Sequence, residues 1–297
     1  MASLSPTDVA FEGFRLTRER PRAIIAWAAC YLAFTVAMFV GAELTLGPQW
    51  QALVLGAQRA ANDPVAMQAY SQKLSPFAAV ALPVLLLLQS VLTCAIYRAV
   101  LRPGEARGGY LRLGADELRM LVLNLVLDLL WLGVLTAVSL VTTLAADAAA
   151  TSAGSPAVLL GAAATAGSIG LGVTVMVRLS LAGPMTFAER RLRIFESWAL
   201  TRGVFWRLFW AYLLALVLAF AVFLLMLMLV YGILGAIALG AGLAPQSIDF
   251  ASPNPLAVGL AIVSEIASVV MLTCFFVLWY APPAQAYKDL ARGRVTA

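Results

Sequence analysis

The chain has 297 residues, of which 62% are apolar and only 12% charged, and its mean hydropathy is +0.91. Soluble domains are about 45–50% apolar, so this composition excludes an ordinary soluble domain and indicates a membrane protein. The net charge of +5 comes from 20 basic and 15 acidic residues. We attribute it to membrane topology and anionic lipid rather than to nucleic acid, because the basic residues cluster between apolar runs.

Six apolar runs dominate the chain, and each can cross a hydrocarbon core of about 30 Å, which takes roughly 20 helical residues. In chain order they are residues 24–46, 77–101, 118–145, 158–181, 208–229 and 256–279. Runs of this length satisfy their backbone hydrogen bonds in lipid as helices. The sequence therefore predicts one all-α polytopic membrane domain over 1–297. We interpret the first run as an uncleaved span, because it is too long for a signal peptide and follows an acid-containing segment.

The basic residues are distributed unequally between the gaps. Eighteen of the 20 fall in the N-terminal segment 1–23, the second and fourth gaps and the tail 280–297, whereas the other gaps contain only Arg59 and Lys73. Lys and Arg near span ends are retained in the cytoplasm. We therefore expect both termini to be cytosolic.

The six spans divide into three hairpins, each preceded by a cytosolic amphipathic segment. Residues 11–18 and 195–202 both read F-E-small-aromatic-x-L-T-R, and residues 110–119 share the aromatic start and a later Arg. Pro103, Pro184 and the pair Pro282-Pro283 are expected to end spans two, four and six, because proline does not extend a helix. The alternative is that similar interface chemistry arose independently in each segment.

The clearest cytosolic helix is predicted over 186–204. Thr186 and Glu189 have the spacing of a capping box, and an apolar face opposes a basic one, so we expect this helix and the segment 1–23 to lie flat among lipid headgroups. The predicted lipid-contacting residues are Phe14, Arg18, Arg191, Trp198, Arg202, Trp206 and Arg207. In the first outward gap we expect two short surface helices, one containing Trp50 and one starting at Asp63-Pro64.

Four polar residues within spans are further candidates: Asn124, Asp128, Glu265 and, near an outer span end, Glu43. Ionisable residues in spans usually face protein or water. One interpretation makes Asp128 and Glu265 a proton or cation relay, or a polar position for a headgroup. The other makes them interhelical hydrogen-bond partners of Asn124, Gln89 or Ser264.

Enzyme chemistry is not indicated. The chain has no His, and Cys30, Cys94 and Cys274 lie inside spans as small core residues rather than at metal-site spacing. No phosphate-binding loop or nucleophile-elbow motif occurs. Small residues at four-residue spacing, such as Gly167 and Gly232, are expected to pack helices closely. We therefore predict no enzymatic activity and no cofactor.

The segment 178–214 resembles bacterial six-span proteins grouped with the glycerophosphoryl diester phosphodiesterase membrane domain. The matching residues are Arg178, Pro184, Ser197, Trp198, Thr201, Arg202, Gly203, Phe205 and Trp206. The resemblance implies a multi-pass protein of the bacterial inner membrane with a role in membrane organisation or lipid handling. The soluble phosphodiesterase domain of some relatives is not within these 297 residues, so we expect no such activity.

Two functions follow as hypotheses. The first is a non-enzymatic inner-membrane scaffold or subunit that binds anionic lipid through its cytosolic helices and assembles with itself or other membrane proteins. The alternative is a transporter or lipid-translocating protein that uses the intramembrane carboxylates.

Overall fold

The computed structural model describes residues 5–47, 63–151, 155–243 and 254–295, with 49–50, 52–53, 56 and 60 between the first two ranges. Over these residues the chain forms helices and no strand. The helices are α1 Pro6–Glu19, α2 Pro21–Leu46, α3 Pro64–Leu101, α4 Ala115–Thr151, α5 Ser155–Leu179, α6 Ala182–Glu189, α7 Glu196–Leu200, α8 Phe205–Gly240 and α9 Pro255–Val295, with a 3-10 turn at Arg107–Tyr110.

Six helices are long and apolar enough to cross a membrane, and they coincide with the six runs seen in the sequence. This confirms the all-helical, multi-pass class. The helices extend beyond several predicted boundaries. Helix α3 starts at Pro64, where the Asp63 carboxylate accepts hydrogen bonds from the backbone of Val65 and Ala66. The predicted helix start is therefore confirmed, but the expected short surface helix is the first part of the 38-residue α3.

Pro282 and Pro283 do not end the last span, contrary to the prediction. Helix α9 continues through both of them to Val295. Proline in a helix interior removes a hydrogen bond and crowds the preceding turn, at about 3 kcal/mol or more. The flanking Ala281, Ala284 and Ala286 are fully buried against other helices. Tertiary packing therefore outweighs the local preference, and the predicted tail begins as helix.

The predicted single helix over 186–204 is wrong. Helix α6 ends at Glu189, Arg190 adopts a left-handed conformation, and the short α7 begins only at Glu196. Thr186 is not an N-cap, because it lies buried within α6 and its hydroxyl accepts a hydrogen bond from the Arg193 backbone. The helix of span four ends at Leu179, and Pro184 lies inside α6 and not at that end.

The packed core lies at one end of the bundle, which we call the basic end because the arginine-rich segments meet there. One cluster of buried apolar residues joins α1, α2, α3, α4, α6 and α9, and a second joins α1, α5, α6, α7, α8 and α9. Helix α1 contributes Leu16 to the first and Val9 to the second. Towards the opposite end, apolar side chains such as Leu44, Met228 and Leu239 are exposed. The spans therefore present apolar surfaces suited to lipid.

Helix α1 is wedged into the basic end and does not lie free on its surface. Its Gly13 faces α9 so closely that a Cβ there would stand 2.8 Å from Leu278 Cα and 3.3 Å from the Val277 carbonyl oxygen. The α1 residues Val9, Ala10, Glu12, Gly13 and Leu16 are buried. One whole face of the helix in segment 1–23 is covered by α8 and α9, and the opposite face exposes Phe11, Arg15 and Arg18.

Consecutive spans also meet along their length. A Cβ on Gly161 of α5 would lie 3.2 Å from the Ala145 carbonyl oxygen of α4. Between α8 and α9, Tyr231 and Ser268 share a 2.7 Å hydrogen bond, and the rings of Phe223 and Phe275 are in edge contact. Gly167 and Gly232, for which the sequence predicted close packing, do not approach another helix within the described chain, because a Cβ at either would have no atom within 4 Å.

Candidate functional site

A buried ion pair organises one side of the basic end. Arg98, in the last turn of α3, places Nη2 2.6 Å from Glu117 Oε1 at the start of α4, and both side chains are almost completely buried. Arg98 Nη1 donates a second hydrogen bond of 2.5 Å to the Tyr110 carbonyl oxygen. We call Arg98, Tyr110 and Glu117 the Arg98 cluster. Its positive charge is neutralised within the chain.

The backbone of the loop between α3 and α4 directs the Tyr110 carbonyl group towards Arg98. Gly108, Gly109 and Tyr110 all have positive φ angles, which is unusual for tyrosine. The Tyr110 side chain is buried, its hydroxyl donates to the Pro103 carbonyl oxygen over 3.1 Å, and Arg20 lies over its ring. Trp27 of α2 donates to the Gly109 carbonyl oxygen over 2.7 Å. Contacts from α2, from α3 and from Arg20 between α1 and α2 therefore hold the left-handed turn in place.

Phe187 of α6 covers the same cluster. Its ring lies under the guanidinium groups of Arg98 and Arg102, at 5.5 and 4.8 Å from the ring centroid. Towards the surface the remaining charges pair locally, Arg112 with Glu105 at 3.0 Å and Arg119 with Asp116 at 2.6 Å. Exposed pairs of this kind contribute little to stability.

A second arginine lies at the end of α5, in a different setting. The Arg178 guanidinium lies between the rings of Trp198 and Phe205, at 5.6 and 5.2 Å from their centroids. Its Nη1 donates to Thr201 Oγ1 over 3.3 Å, and Ser197 Oγ donates to the Arg178 carbonyl oxygen over 2.6 Å. We call Arg178, Ser197, Trp198, Thr201 and Phe205 the Arg178 cluster.

The Arg178 cluster explains most of the sequence segment that carried the family resemblance. Five of the nine matching residues form it, although up to 27 positions separate them in the chain. Gly203 has a φ of +86°, which allows the turn from α7 into α8. Arg202 and Trp206 point to the surface, and Pro184 is buried in α6. The segment is therefore a structural unit built around one cation.

The predicted lipid-contacting residues lie mostly at the surface of the basic end. Arg18, Arg191, Trp198, Arg202, Trp206 and Arg207 are exposed, and Phe14 is half-buried beside Phe11. Trp206 is the most open of the predicted aromatic residues, with 67% of its surface exposed. Within the described chain, none of the four arginines meets a carboxylate at ion-pair distance. Although the helices at 1–23 and 186–204 differ from the prediction, these residues all lie at the same end of the bundle.

The predicted intramembrane residues are not brought together. Asn124 is buried and donates to Ser90 Oγ over 3.1 Å, whereas Trp50 donates to Glu43 over 2.6 Å near the opposite end. Asp128 and Glu265 are exposed on helix surfaces, and neither makes a hydrogen bond or ion pair in the part of the chain described. The partners suggested for them bond elsewhere: Gln89 donates to the Tyr280 hydroxyl and Ser264 to its own helix.

One carboxyl group at the basic end has a shifted pKa. Burial of Glu12 between α1 and its neighbours raises the pKa of its carboxyl, and the nearby Arg15 and Lys288 partly oppose this rise. Arg15 pairs with Glu12 one turn later on α1. Desolvation disfavours the charged form of a buried carboxyl, which is why the rise prevails.

Sequence reasoning missed Glu117 and Tyr110 as structural partners of Arg98. The signal available was an acid inside an arginine-rich gap and a Gly-Gly-Tyr turn before it. In the described ranges, no three His, Cys or acidic side chains come together as a metal site. One shallow, open groove lined by Leu135, Thr136, Ser139, Leu140 and Thr143 contains no ionisable group. The arrangement presents arginine guanidinium groups at the surface of the basic end.

The six apolar helices and the absence of strands in the described residues are the features of a multi-pass membrane protein. Comparisons of the chain with protein-family models, with curated proteins and with solved structures found no match. The likeness of residues 178–214 to the phosphodiesterase membrane-domain group therefore remains a prediction from the sequence.

Proposed function

We propose that this chain is a non-enzymatic protein of a bacterial inner membrane that binds anionic lipid at its basic end and serves as a scaffold or subunit of a membrane assembly. In this proposal the six spans form three hairpins, both termini are cytosolic, and the basic end faces the cytosolic leaflet. The bias of 18 to 2 in the basic residues supports this orientation.

The observation that carries the proposal is the surface of the segment 190–207. It exposes Arg191, Arg202 and Arg207 without ion-pair partners in the described chain, together with Trp198 and Trp206. Arginine beside exposed tryptophan is typical of the membrane interface, where the ring lies at headgroup level and the charge reaches phosphate. Polybasic surfaces near a membrane attract anionic lipid by about 1 kcal/mol per residue.

A second surface at the same end supports a wider footprint. On α1, the face opposite the buried one exposes Phe11, Arg15 and Arg18 and leaves Phe14 half-exposed. Because α1 is packed into the bundle through Gly13, this face is fixed relative to the spans. Lipid binding would therefore act on a rigid surface rather than fold a free helix.

The test is native mass spectrometry from nanodiscs of phosphatidylglycerol or phosphatidylcholine, with retained lipids counted per chain. We expect the double variant R202Q/R207Q to retain fewer phosphatidylglycerol molecules than the wild type. The control R112Q/R119Q removes the same charge from the same end, but its arginines are already paired with Glu105 and Asp116. Equal lipid counts in all three proteins would contradict the proposal.

Sidedness has its own test. In a background without the three native cysteines, single cysteines at Lys73 and Arg202 are treated with a membrane-impermeant maleimide. The proposed orientation predicts that Lys73→Cys reacts in cells with a permeabilised outer membrane and that Arg202→Cys reacts only after lysis. The reverse pattern would place the basic end outside.

Transport is the second candidate, and the observation that favours it is the exposure of Asp128 and Glu265 within apolar helices without partners in the described chain. Charges in spans are costly and mark ion or substrate pathways in many membrane proteins. The variant D128N/E265Q is expected to abolish a proton or cation flux in proteoliposomes if this function is correct. Wild-type proteoliposomes without a flux would remove it.

A further inference from the structure

We propose that the Arg178 cluster is a specific binding site for one phosphate group, either of an anionic phospholipid or of free phosphate. This inference rests on the proposed function, because it assigns one defined position within the lipid-binding end. It differs from general attraction to the exposed arginines, since it predicts a single tightly held group.

The first step is the unbalanced charge of Arg178. Its guanidinium is half-buried between two aromatic rings, and no carboxylate of the described chain lies at ion-pair distance from it. A cation removed from water needs a counter-charge or strong hydrogen bonds. The comparable Arg98 has Glu117 at 2.6 Å. Arg178 is therefore available to a counter-ion from outside the described chain.

The second step is the set of unused donors on the guanidinium. Nη1 donates to Thr201 Oγ1, whereas the buried Nε has no hydrogen-bond partner in the described chain and Nη2 forms no hydrogen bond there either. The Nε atom is shielded from solvent by its neighbours, whereas Nη2 is the donor left accessible to an oxygen of a phosphate. A charge-assisted hydrogen bond from a guanidinium N–H to a phosphate oxygen is about twice as strong as a bond between neutral groups.

The third step is that the donors are held in position. The rings of Trp198 and Phe205 fix the plane of the guanidinium, Thr201 fixes its rotation, and the Ser197 hydroxyl ties α7 to the end of α5. An arginine already ordered by its neighbours loses little side-chain entropy on binding. The cluster is thus a prepared anion site and not a flexible surface cation.

The last step is location. Arg178 is the charged residue of α5 at the basic end, and the exposed Arg202 and Trp206 directly follow the cluster residues Thr201 and Phe205 in sequence. In the proposed orientation this level of the bundle meets the phosphates of the cytosolic leaflet. A negatively charged phospholipid supplies both the missing charge and an acceptor oxygen for Nη2.

The experiment uses the full chain in two kinds of nanodisc, phosphatidylglycerol alone and phosphatidylcholine with added inorganic phosphate, and measures adducts that survive collisional activation in native mass spectra. We expect the wild type to keep one phosphatidylglycerol after the other lipids have been stripped. R178Q is expected to lose this lipid, R178K to hold it more weakly, and the paired-surface control R112Q to keep it. An adduct found only with inorganic phosphate, and lost in R178Q, would assign the same site to free phosphate.

The inference is overturned if the wild type keeps neither adduct, or if R178Q keeps the adduct as firmly as the wild type. Since R178K retains the charge and the aromatic packing, it and the wild type decide the matter should R178Q fail to fold. R202Q/R207Q separates this result from the wider proposal. If that variant lowers the total lipid count while R178Q changes nothing, the Arg178 site fails and general anionic binding stands.

Discussion

Arg98 and Arg178 hold similar places in the fold but differ in how their charge is balanced. Each lies at the end of a span at the basic end, each packs on aromatic rings, and each bonds to a residue 19 positions later in the chain. For Arg98 that residue is the carboxylate Glu117, whereas for Arg178 it is the hydroxyl-bearing Ser197, which contacts only its backbone. A buried carboxylate makes the first arginine structural, and its absence leaves the second able to bind an anion.

The largest expected effect comes from breaking the neutralised pair. E117Q removes the carboxylate nearest to the buried Arg98 guanidinium and leaves Glu105, 3.9 Å from Nε, as its remaining acidic partner, so we expect the free energy of unfolding to fall by about 3–5 kcal/mol. Unfolding by SDS titration in mixed micelles measures it. The control E196Q removes an acid from the exposed pair with Arg193, for which a change of about 0–1 kcal/mol is expected. Equal effects of E117Q and E196Q would show that Arg98 does not depend on Glu117.

A smaller effect on the free energy of unfolding is expected where α1 packs against α9 at the basic end. G13A places a methyl group 2.8 Å from the Leu278 Cα, so the helices must separate, at about 1–3 kcal/mol. The control G133A adds a methyl group to a helical glycine with no atom within 4 Å and is expected to be neutral or slightly stabilising. A neutral result for G13A would mean that α1 does not pack on α9.

The smallest effect concerns Glu12 on the buried face of α1. Because its pKa is raised in the folded protein, the folded state binds more protons than the unfolded state between the usual and the raised pKa. Its contribution to stability therefore decreases as pH rises through that window. E12Q removes this dependence, so the unfolding temperature of wild type minus that of E12Q should fall from about pH 4 to pH 7. E19Q, on the exposed side of the same helix, serves as the control; a difference independent of pH would contradict the assignment.

The long helices could be predicted from the sequence because their signal is the composition of a whole segment. Runs of 20 or more apolar residues identify a span even where its ends are several residues away. The helix start at Asp63-Pro64 was also predictable, since an N-cap acts through neighbouring residues. Predictions from local sequence failed where contacts between distant residues determine the structure. Helix α9 continues through Pro282-Pro283 beside fully buried alanines, and the helix predicted over 186–204 is interrupted at Arg190.

The candidate sites show the same limit. Arg202 and Trp206 were predicted as lipid-contacting residues and are exposed, although the helix predicted over 186–204 was wrong. The Arg98–Glu117 pair could not be found, because its formation depends on three consecutive residues with positive φ in the α3–α4 loop. The residues around Arg178 were recognised as a motif, but only the fold shows that they surround one guanidinium.

The most direct test of the two arginines measures the unfolding temperatures of the wild type, R98Q and R178Q in phosphatidylcholine and in phosphatidylglycerol nanodiscs. Because Glu117 neutralises Arg98 within the chain, R98Q should lower the unfolding temperature equally in both membranes. R178Q should lower it more in phosphatidylglycerol than in phosphatidylcholine, because it also removes the additional stability that a ligand bound to the folded state alone gives the wild type. A drop for R178Q that is the same in both membranes would contradict the account and make Arg178 a structural residue like Arg98.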